Sequence, residues 1–218
     1  MKKKPSKKLS RSRGEVVQVA RFVYETGIHR HTPRSGFWFL GSGEQSIAEH
    51  SFRAAFIAYA LAHLAKEPDP HRAVLMALAH DLGEGRTGDL NYVHQRYGRL
   101  SEKGAFEDLA KTIPFGKELL DLYNEEQGRS TSMAKLVKDA DSLEWIASLR
   151  EEETKGNLKA AQWARDAVRR LKTPEGKRVG KALFAMHPDA WWHDPTDPWF
   201  VGRKEKDRKW KDGTHKRK

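Results

Sequence analysis

The chain has 218 residues, of which 33% are charged and 38% are hydrophobic, and its formal net charge is +11. This length is enough to bury one core of ordinary domain size. Cysteine is absent, which excludes disulfides and thiolate metal sites, so a bound metal would need His, Asp or Glu ligands.

The positive charge lies at the two ends of the chain. Residues 1–13 contain seven Lys or Arg and no acid, and residues 203–218 contain nine against three acids. Residues 14–202 therefore carry a net charge of about −2. We predict that both basic tails are disordered, because runs of like charge repel one another. Solubility or weak nonspecific contact with polyanions is their expected role, and dedicated nucleic-acid binding is the alternative.

The segment between the tails has the pattern of an all-α protein with five to seven helices. Apolar residues recur at helical spacing over residues 15–26, and Gly27 ends that helix. Ser46 and Glu49 have the spacing of a capping box, which predicts a helix from there to about residue 66. Strand-like alternation is missing. Further helices are expected at about residues 70–82, 100–128 (one or two), 131–153, 158–171 and 175–186.

These helices define a single predicted domain, residues 14–185, followed by an aromatic and proline-rich segment at residues 186–202. We expect that segment to pack over the helical body or on a partner subunit, because apolar area of this size rarely stays exposed. The longest apolar run, residues 54–62, is too short to span a bilayer. The basic N-terminus has no apolar stretch behind it, so a cytoplasmic protein without membrane contact is expected.

Four polar residues interrupt the apolar faces of the predicted helices. His50 lies within an apolar stripe, His80 and Asp81 end a helix rich in Ala and Leu, and Asp141 lies beside a third apolar face. Each of them alone has an ordinary explanation, such as a hydrogen-bonded core histidine or a paired core acid. Together they favour a divalent cation, because buried ionised carboxylates are unstable unless they are paired or bind a metal. Two imidazoles and two carboxylates suit Mn, Fe, Co, Ni or Zn.

The order of three motifs resembles the HD-domain metal-dependent phosphohydrolase superfamily, and within it the 5′-deoxynucleotidase branch. The motifs are Ile-Ala-Glu-His50-Ser, then His80-Asp-Leu-Gly-Glu-Gly-Arg-Thr-Gly-Asp-Leu, then Lys-Asp-Ala-Asp141-Ser-Leu, and the resemblance covers residues 14–155. It implies that His50, His80, Asp81 and Asp141 hold one divalent transition metal ion, such as Co²⁺ or Mn²⁺. Asp139 should point elsewhere on the helix, either solvated or supporting a ligand from outside the coordination sphere.

The resemblance also implies two acids with catalytic roles. Glu84 matches an acid near the metal-bound water and the leaving oxygen of the phosphate, and Asp89 matches an acid that protonates the leaving group or binds a sugar hydroxyl. A solvated helix end for Glu84 and a capping role for Asp89 are the structural alternatives.

A third set of residues is expected to bind the substrate. Arg34 matches an arginine that binds phosphate in this family, and Trp38 and Arg86 are further candidates. Arg53 is another candidate for phosphate, with a surface salt bridge as the alternative. Ser35 directly follows Arg34, where some family members have an aromatic residue, so the base and sugar preferences stay open.

The resulting hypothesis is a phosphohydrolase that converts 5′-(deoxy)nucleoside monophosphates to nucleoside and phosphate by means of metal-activated water. One alternative is a phosphodiesterase or phosphatase that acts on another nucleotide or on a nucleic-acid end. Another is a regulatory nucleic-acid-binding module with a structural metal. A homodimer is a candidate assembly.

Overall fold

The computed structural model of the protein describes the backbone of residues 7–197 and the side chains of residues 13–197. Within that range the only β pairing is an isolated bridge between Pro33 and Ser46, which confirms the predicted all-α class. None of the helices described there is long and apolar enough to cross a bilayer. The eleven α-helices of this range are α1 (Lys7–Thr26), α2 (Gly36–Leu40), α3 (Ile47–Leu64), α4 (Pro70–Ala79), α5 (Glu84–Thr87), α6 (His94–Tyr97), α7 (Glu102–Ala110), α8 (Gly116–Gly128), α9 (Ser132–Thr154), α10 (Leu158–Val168) and α11 (Pro174–Ala185).

Helix α3 begins where the capping signal predicts. The Ser46 hydroxyl accepts a hydrogen bond from the Glu49 backbone nitrogen at 3.2 Å, and the Glu49 carboxylate accepts one from the Ser46 nitrogen at 2.7 Å. The helix count exceeds the expected five to seven for two reasons. The segment 100–128 contains two helices, α7 and α8, and three short helices of four or five residues, α2, α5 and α6, are added to those expected.

The predicted tails fall largely beyond the structure. Helix α1 already begins at Lys7, inside the segment 1–13 that was expected to be a disordered tail. Residues 1–6 and the whole of the second tail, 203–218, lie outside the described residues.

The core lies between α3, α4 and α9. Helix α3 contributes Ala54, Ala58 and Leu61 to it, and α4 contributes Ala73 and Ala77, all of them buried. Small alanine side chains let the helix axes approach closely, since the distance between packed helices depends on the side chains at the contact. This packing brings the first turn of α3, the end of α4 and the middle of α9 to one place.

The segment after α11 lies partly against the helical body, because its 3-10 helix contacts α9. A 3-10 helix spans Pro188–Trp191, and the side chains of Trp191 and Trp192 are 82% and 47% exposed in the single chain. Packing of this aromatic segment over the helical body or on a partner subunit stays a prediction. Residues 198–202 of this segment lie outside the described residues.

Candidate metal centre

Four potential metal ligands converge where α3, α4 and α9 meet. His50 Nε2 lies 3.4 Å from His80 Nε2 and 3.3 Å from Asp141 Oδ1. Asp81 Oδ2 lies 3.6 Å from the same His50 nitrogen and 3.1 Å from His80 Nε2. Bonds of about 2.0–2.2 Å to one ion place neighbouring ligand atoms roughly 3.0–3.5 Å apart. His50, His80 and Asp141 therefore form a group that could hold one divalent ion, and the Asp81 carboxylate lies beside the two histidines of that group.

Each ligand is carried by an element whose position the core fixes. His50 lies in the first turn of α3, and the buried Ile47 anchors that turn. His80 is the residue at which α4 ends, so Asp81 lies in the tight turn that follows. Asp141 lies in the middle of the long helix α9. The ligands thus come from rigid helices and one helix end, which favours a preformed site.

The hydrogen bonds of the two histidines aim both Nε2 atoms at the centre. His50 Nδ1 lies 2.6 Å from a Glu144 carboxylate oxygen, and His80 Nδ1 lies 2.5 Å from the Ala77 carbonyl oxygen. Both partners accept, so each Nδ1 carries a hydrogen, and each ring presents the lone pair of its Nε2 to a metal once the proton on that nitrogen is lost. Two lone pairs and two carboxylates then face one point, and this donor set fits a divalent cation.

The charged groups around the centre shift one another's pKa values. Burial by itself would lower the pKa of His80, but the carboxylates of Asp81 and Asp141 outweigh burial and raise it to about 9. Burial by itself would raise the pKa values of the two acids, yet the neighbouring positive charges hold both well below their usual range. For Asp141 the largest of these is Lys138, whose ammonium lies 2.6 Å from Oδ2. Binding of a cation would therefore release a proton from the site.

Arg34 reaches the centre because its loop is tied to the start of α3. The Arg34 backbone nitrogen donates to the Gln45 carbonyl at 2.8 Å, beside the bridge between Pro33 and Ser46. The guanidinium lies 3.5 Å from Asp81 Oδ2 and 3.8 Å from Asp141 Oδ1. Burial opposes its charge, but these two carboxylates raise its pKa. A fixed cationic fork thus lies beside the ligand carboxylates.

One of the two predicted catalytic acids lies at the start of α5, and the other lies two residues after its end. Glu84 is its first residue. Burial, followed by the charges of Asp81 and Asp89, raises the pKa of Glu84 to about 9. Its Oε2 is buried and has no hydrogen-bond partner in the described part of the chain. Asp89 accepts hydrogen bonds from the Ser35 nitrogen at 2.8 Å and from the Ser35 hydroxyl at 3.1 Å. Ser35 therefore fastens Asp89 to the Arg34 loop.

A cavity of about 1110 Å³ opens over these groups. Arg34, Glu84 and Asp89 line it together with the ligands from α4 and α9, while His50 is fully buried beneath. Two aromatic side chains, Tyr92 and Trp145, also form part of the lining. A concave site with converging polar groups and perturbed pKa values is what a small-molecule site requires.

Comparison with known proteins identifies the family. Residues 26–181, inside the predicted domain 14–185, match the model of the HD domain. The chain belongs to the HD-domain family. This HD domain is 33% identical over 121 residues to a 5′-deoxynucleotidase of Dictyostelium discoideum, and the alignment covers 50% of this chain and 63% of that protein. It is 30% identical over 138 residues to a 5′-deoxynucleotidase of Schizosaccharomyces pombe, with 58% and 68% covered.

A solved structure shares the fold of this HD domain. It is a conserved hypothetical protein of Pyrococcus furiosus, with a TM-score of 0.66 and 27% identity, and the match covers 77% of this chain and 99% of that one. The family of metal-dependent phosphohydrolases that the three motifs predict is thereby confirmed.

Three of the predicted substrate-binding residues of the HD domain lie apart from the cavity. Trp38 is 57% exposed, with its ring 6.1 Å from that of His94. Arg86 donates to the Glu25 carboxylate at 2.5 Å. Arg53 is bound by two carboxylates of α9. None of the three side chains lines the cavity within the described part of the chain. Substrate contact by these residues stays a prediction.

Sequence reasoning missed Glu144. It is fully buried, and its carboxylate binds His50 and accepts from Arg53 at 2.7 Å. Burial would raise its pKa, but the hydrogen bond and charge of His50, followed by Arg53, lower it to about 2. Glu144 lies three residues after Asp141, on the same helix face. That spacing is the signal that could have found it.

Asp139 has a different role from the one expected. Instead of being solvated, it is buried. Its carboxylate accepts hydrogen bonds from the backbone nitrogens of Lys172 at 2.9 Å and Thr173 at 2.7 Å, and from the Thr173 hydroxyl at 2.6 Å. Asp139 therefore fixes the segment after α10 against α9.

Proposed function

We propose that this HD domain is a metal-dependent phosphomonoesterase that hydrolyses 5′-(deoxy)nucleoside monophosphates to nucleoside and phosphate. One observation carries the proposal: the potential metal ligands lie close together at the floor of a cavity that is also lined by a partly buried arginine and by a partly buried carboxyl group, Arg34 and Glu84. The relatives named 5′-deoxynucleotidases support the substrate class. His50, His80, Asp81 and Asp141 would hold one ion, such as Co²⁺ or Mn²⁺.

Each group at the cavity floor has a role in the proposed reaction. When bound, a divalent cation supplies Lewis-acid stabilisation of the phosphoryl oxygens and a water molecule of lowered pKa. Arg34 binds two phosphate oxygens through its planar fork. Glu84, with its raised pKa, holds a proton at neutral pH and gives it to the departing 5′-oxygen as the phosphorus–oxygen bond breaks. Asp89 keeps the Arg34 loop in place through Ser35, and its other oxygen accepts a hydrogen bond from a sugar hydroxyl.

Aromatic side chains supply a place for the nucleoside. The Trp145 ring lies 3.2 Å from where a Cβ would stand on Gly36, so it fills the space beside the Arg34 loop. Tyr92 lines the cavity as well. Some relatives are expected to have an aromatic residue directly after this arginine; here α9 supplies the aromatic surface from Trp145. A base or sugar packs favourably against such rings.

Phosphate release from a panel of substrates tests the proposal. We expect hydrolysis of deoxy- and ribonucleoside 5′-monophosphates in the presence of Mn²⁺ or Co²⁺, and none of nucleoside 3′-monophosphates or phosphodiesters. Arg34→Gln should lower kcat/KM roughly 100-fold, as expected for the loss of a buried charged contact to the reacting group. Arg86→Gln is the matched control, because Arg86 lies outside the cavity lining, and should change kcat/KM less than about twofold.

Two results would contradict the proposal. Hydrolysis of a diester without hydrolysis of any monoester would favour a phosphodiesterase. Full activity in Arg34→Gln would remove the arginine from the reaction and with it the proposed arrangement of the site.

A further inference from the structure

Beyond the groups that a monophosphate requires, five exposed cations line the same cavity. They come from the end of α8, from α9 and from the segment after α10, and we call them the basic rim: Arg129, Lys135, Arg169, Arg170 and Lys172. Residues 14–202 have a net charge of about −2, so this gathering does not follow from the overall charge of the folded region.

Helix α9 connects the basic rim to the metal centre. Lys135, Lys138 and Asp141 follow one another at intervals of three residues and lie on one face of the helix. Lys138 is bound to Asp141 at 2.6 Å. A rise of 1.5 Å per residue places Lys135 roughly 9 Å along the helix from Asp141. The bond from Asp139 to the Lys172 backbone places the segment after α10 beside the same stretch of α9.

The rim also reaches the opposite wall of the cavity. Arg170 donates to the Tyr92 hydroxyl at 2.8 Å, and its guanidinium lies 5.8 Å from the centre of the Tyr92 ring. Tyr92 follows Asp89 by three residues, so this contact joins the rim to the loop that carries a predicted catalytic acid. The rim is therefore a built part of the cavity wall.

Three cations of the rim, Lys135, Arg169 and Lys172, are poorly neutralised by the protein. Lys135 and Lys172 form no ion pair with any acid in the described part of the chain. Arg169 has one partner, Asp166 at 3.1 Å, in a pair that is largely exposed to solvent. An exposed ion pair of this kind is weak, so a ligand can replace it. Cations without partners beside a phosphate site attract a further anionic group.

We propose that the basic rim is a second anion subsite and that this enzyme prefers nucleotides with a second phosphate group besides the scissile one. The inference rests on the proposed function and deepens it. The cavity volume of about 1110 Å³ lies above the range of roughly 300–1,000 Å³ that encloses a drug-sized ligand, so it has room for more than a nucleoside monophosphate. The second phosphate contacts Lys135, Arg169 and Lys172, and the scissile phosphate keeps its place at the metal centre.

Two test substrates carry a second phosphate group at different positions. In deoxyadenosine 3′,5′-bisphosphate the extra group is on the other side of the sugar, and hydrolysis breaks the 5′ ester bond as in dAMP. In dADP the extra group lies between the scissile phosphate and the sugar, so hydrolysis breaks the phosphoanhydride bond and leaves dAMP. For at least one of these two we expect kcat/KM for phosphate release to exceed that for dAMP roughly tenfold, because two or three exposed contacts each contribute modestly. The preference should shrink as ionic strength rises.

The variant that tests the subsite is Lys135→Gln/Lys172→Gln, since neither side chain touches the ligands or the proposed catalytic groups. We expect it to lose the preference for the two-phosphate substrate to within about twofold, while dAMP hydrolysis stays at the wild-type level. Lys177→Gln/Lys181→Gln is the matched control: it removes two exposed lysines of α11 that lie outside the described cavity lining, and it should retain the preference. Turnover of dAMP shows in each case that the variant is folded.

The outcomes separate the two proposals. Equal kcat/KM for all three substrates in the wild type would overturn the subsite and leave the nucleotidase proposal standing. A preference that survives in Lys135→Gln/Lys172→Gln would do the same. Failure to hydrolyse any nucleotide would overturn the proposed function and the subsite with it.

Discussion

Replacing Glu144 by Gln tests whether the buried carboxylate behind His50 tunes the metal centre. One Glu144 oxygen accepts from His50 Nδ1 at 2.6 Å, and the other accepts from Arg53 at 2.7 Å and from Gln45 at 2.7 Å. Gln keeps only one oxygen, and its amide NH₂ would face a donor on one side or the other. If the NH₂ faces His50, the histidine loses its acceptor or moves its hydrogen to Nε2, where it blocks the lone pair needed for a metal. If the NH₂ faces Arg53 and Gln45, the contacts that hold the remaining oxygen against His50 are lost.

The expected loss can be given a size. Partners that orient a metal-binding histidine are worth about 10- to 100-fold in metal affinity, which corresponds to about 1.4–2.7 kcal/mol. Disturbing a buried carboxylate that accepts charged hydrogen bonds should also lower the free energy of unfolding by about 1–3 kcal/mol. The lowered pKa of Glu144, about 2, shows that its surroundings favour the charged form.

Equilibrium dialysis of EDTA-treated protein against Mn²⁺ measures the metal affinity, and urea unfolding measures the stability. Glu151→Gln is the matched control, because Glu151 also binds Arg53, at 2.5 Å, but is half exposed and lies two helical turns beyond Glu144. We expect Glu151→Gln to bind Mn²⁺ like the wild type. Unchanged Mn²⁺ affinity in Glu144→Gln, or an equal loss in Glu151→Gln, would refute the reasoning.

Two further predictions concern acids near the centre. Glu84→Gln should stabilise the metal-free protein between about pH 4.5 and pH 9, because the unfolded acid ionises in this window while the folded one stays protonated. Each pH unit between the two pKa values is worth about 1.4 kcal/mol, so urea unfolding should show a larger gain over the wild type at pH 8 than at pH 5. The same gain at both pH values would contradict the raised pKa of this group. Asp139→Ala should lower the free energy of unfolding by about 3 kcal/mol, because it leaves the backbone nitrogens of residues 172 and 173 without their acceptor. Mn²⁺ affinity should stay within about threefold of the wild-type value. A complete loss of Mn²⁺ binding would instead make Asp139 a ligand.

The helices that local signals announce are the ones that sequence reasoning predicts well. Ser46 and Glu49 mark the start of α3, and Pro114 and Gly116 mark the break between α7 and α8. The short helices α2, α5 and α6 fall outside the helices that the sequence predicts, because a single turn is marginal by itself. In the case of α2, Phe37 packs edge to face on Trp145 at 5.1 Å, and this distant contact does not show in the local sequence.

The residues of the candidate site also differ in whether a local sequence pattern identifies them. The four proposed ligands interrupt apolar faces and belong to motifs, so they are visible in the sequence. Glu144 is paired with a histidine 94 positions away, and Asp139 with a backbone 33 positions away. Such partners become neighbours only when α3, α9 and the segment after α10 have packed. Ser35 is a similar case, because its bond to Asp89 joins residues 54 positions apart.

A titration of activity with metal tests the central claim most directly. Phosphate release from dAMP is measured on EDTA-treated protein, at a protein concentration well above the dissociation constant of the ion, as Mn²⁺ is added in fractions of an equivalent. If His50, His80, Asp81 and Asp141 hold a single essential ion, the rate rises linearly and reaches its plateau at one equivalent, and Asp81→Ala shows no rise over the same range. A plateau at two equivalents, activity without added metal, or a wild-type titration curve in Asp81→Ala would contradict the claim.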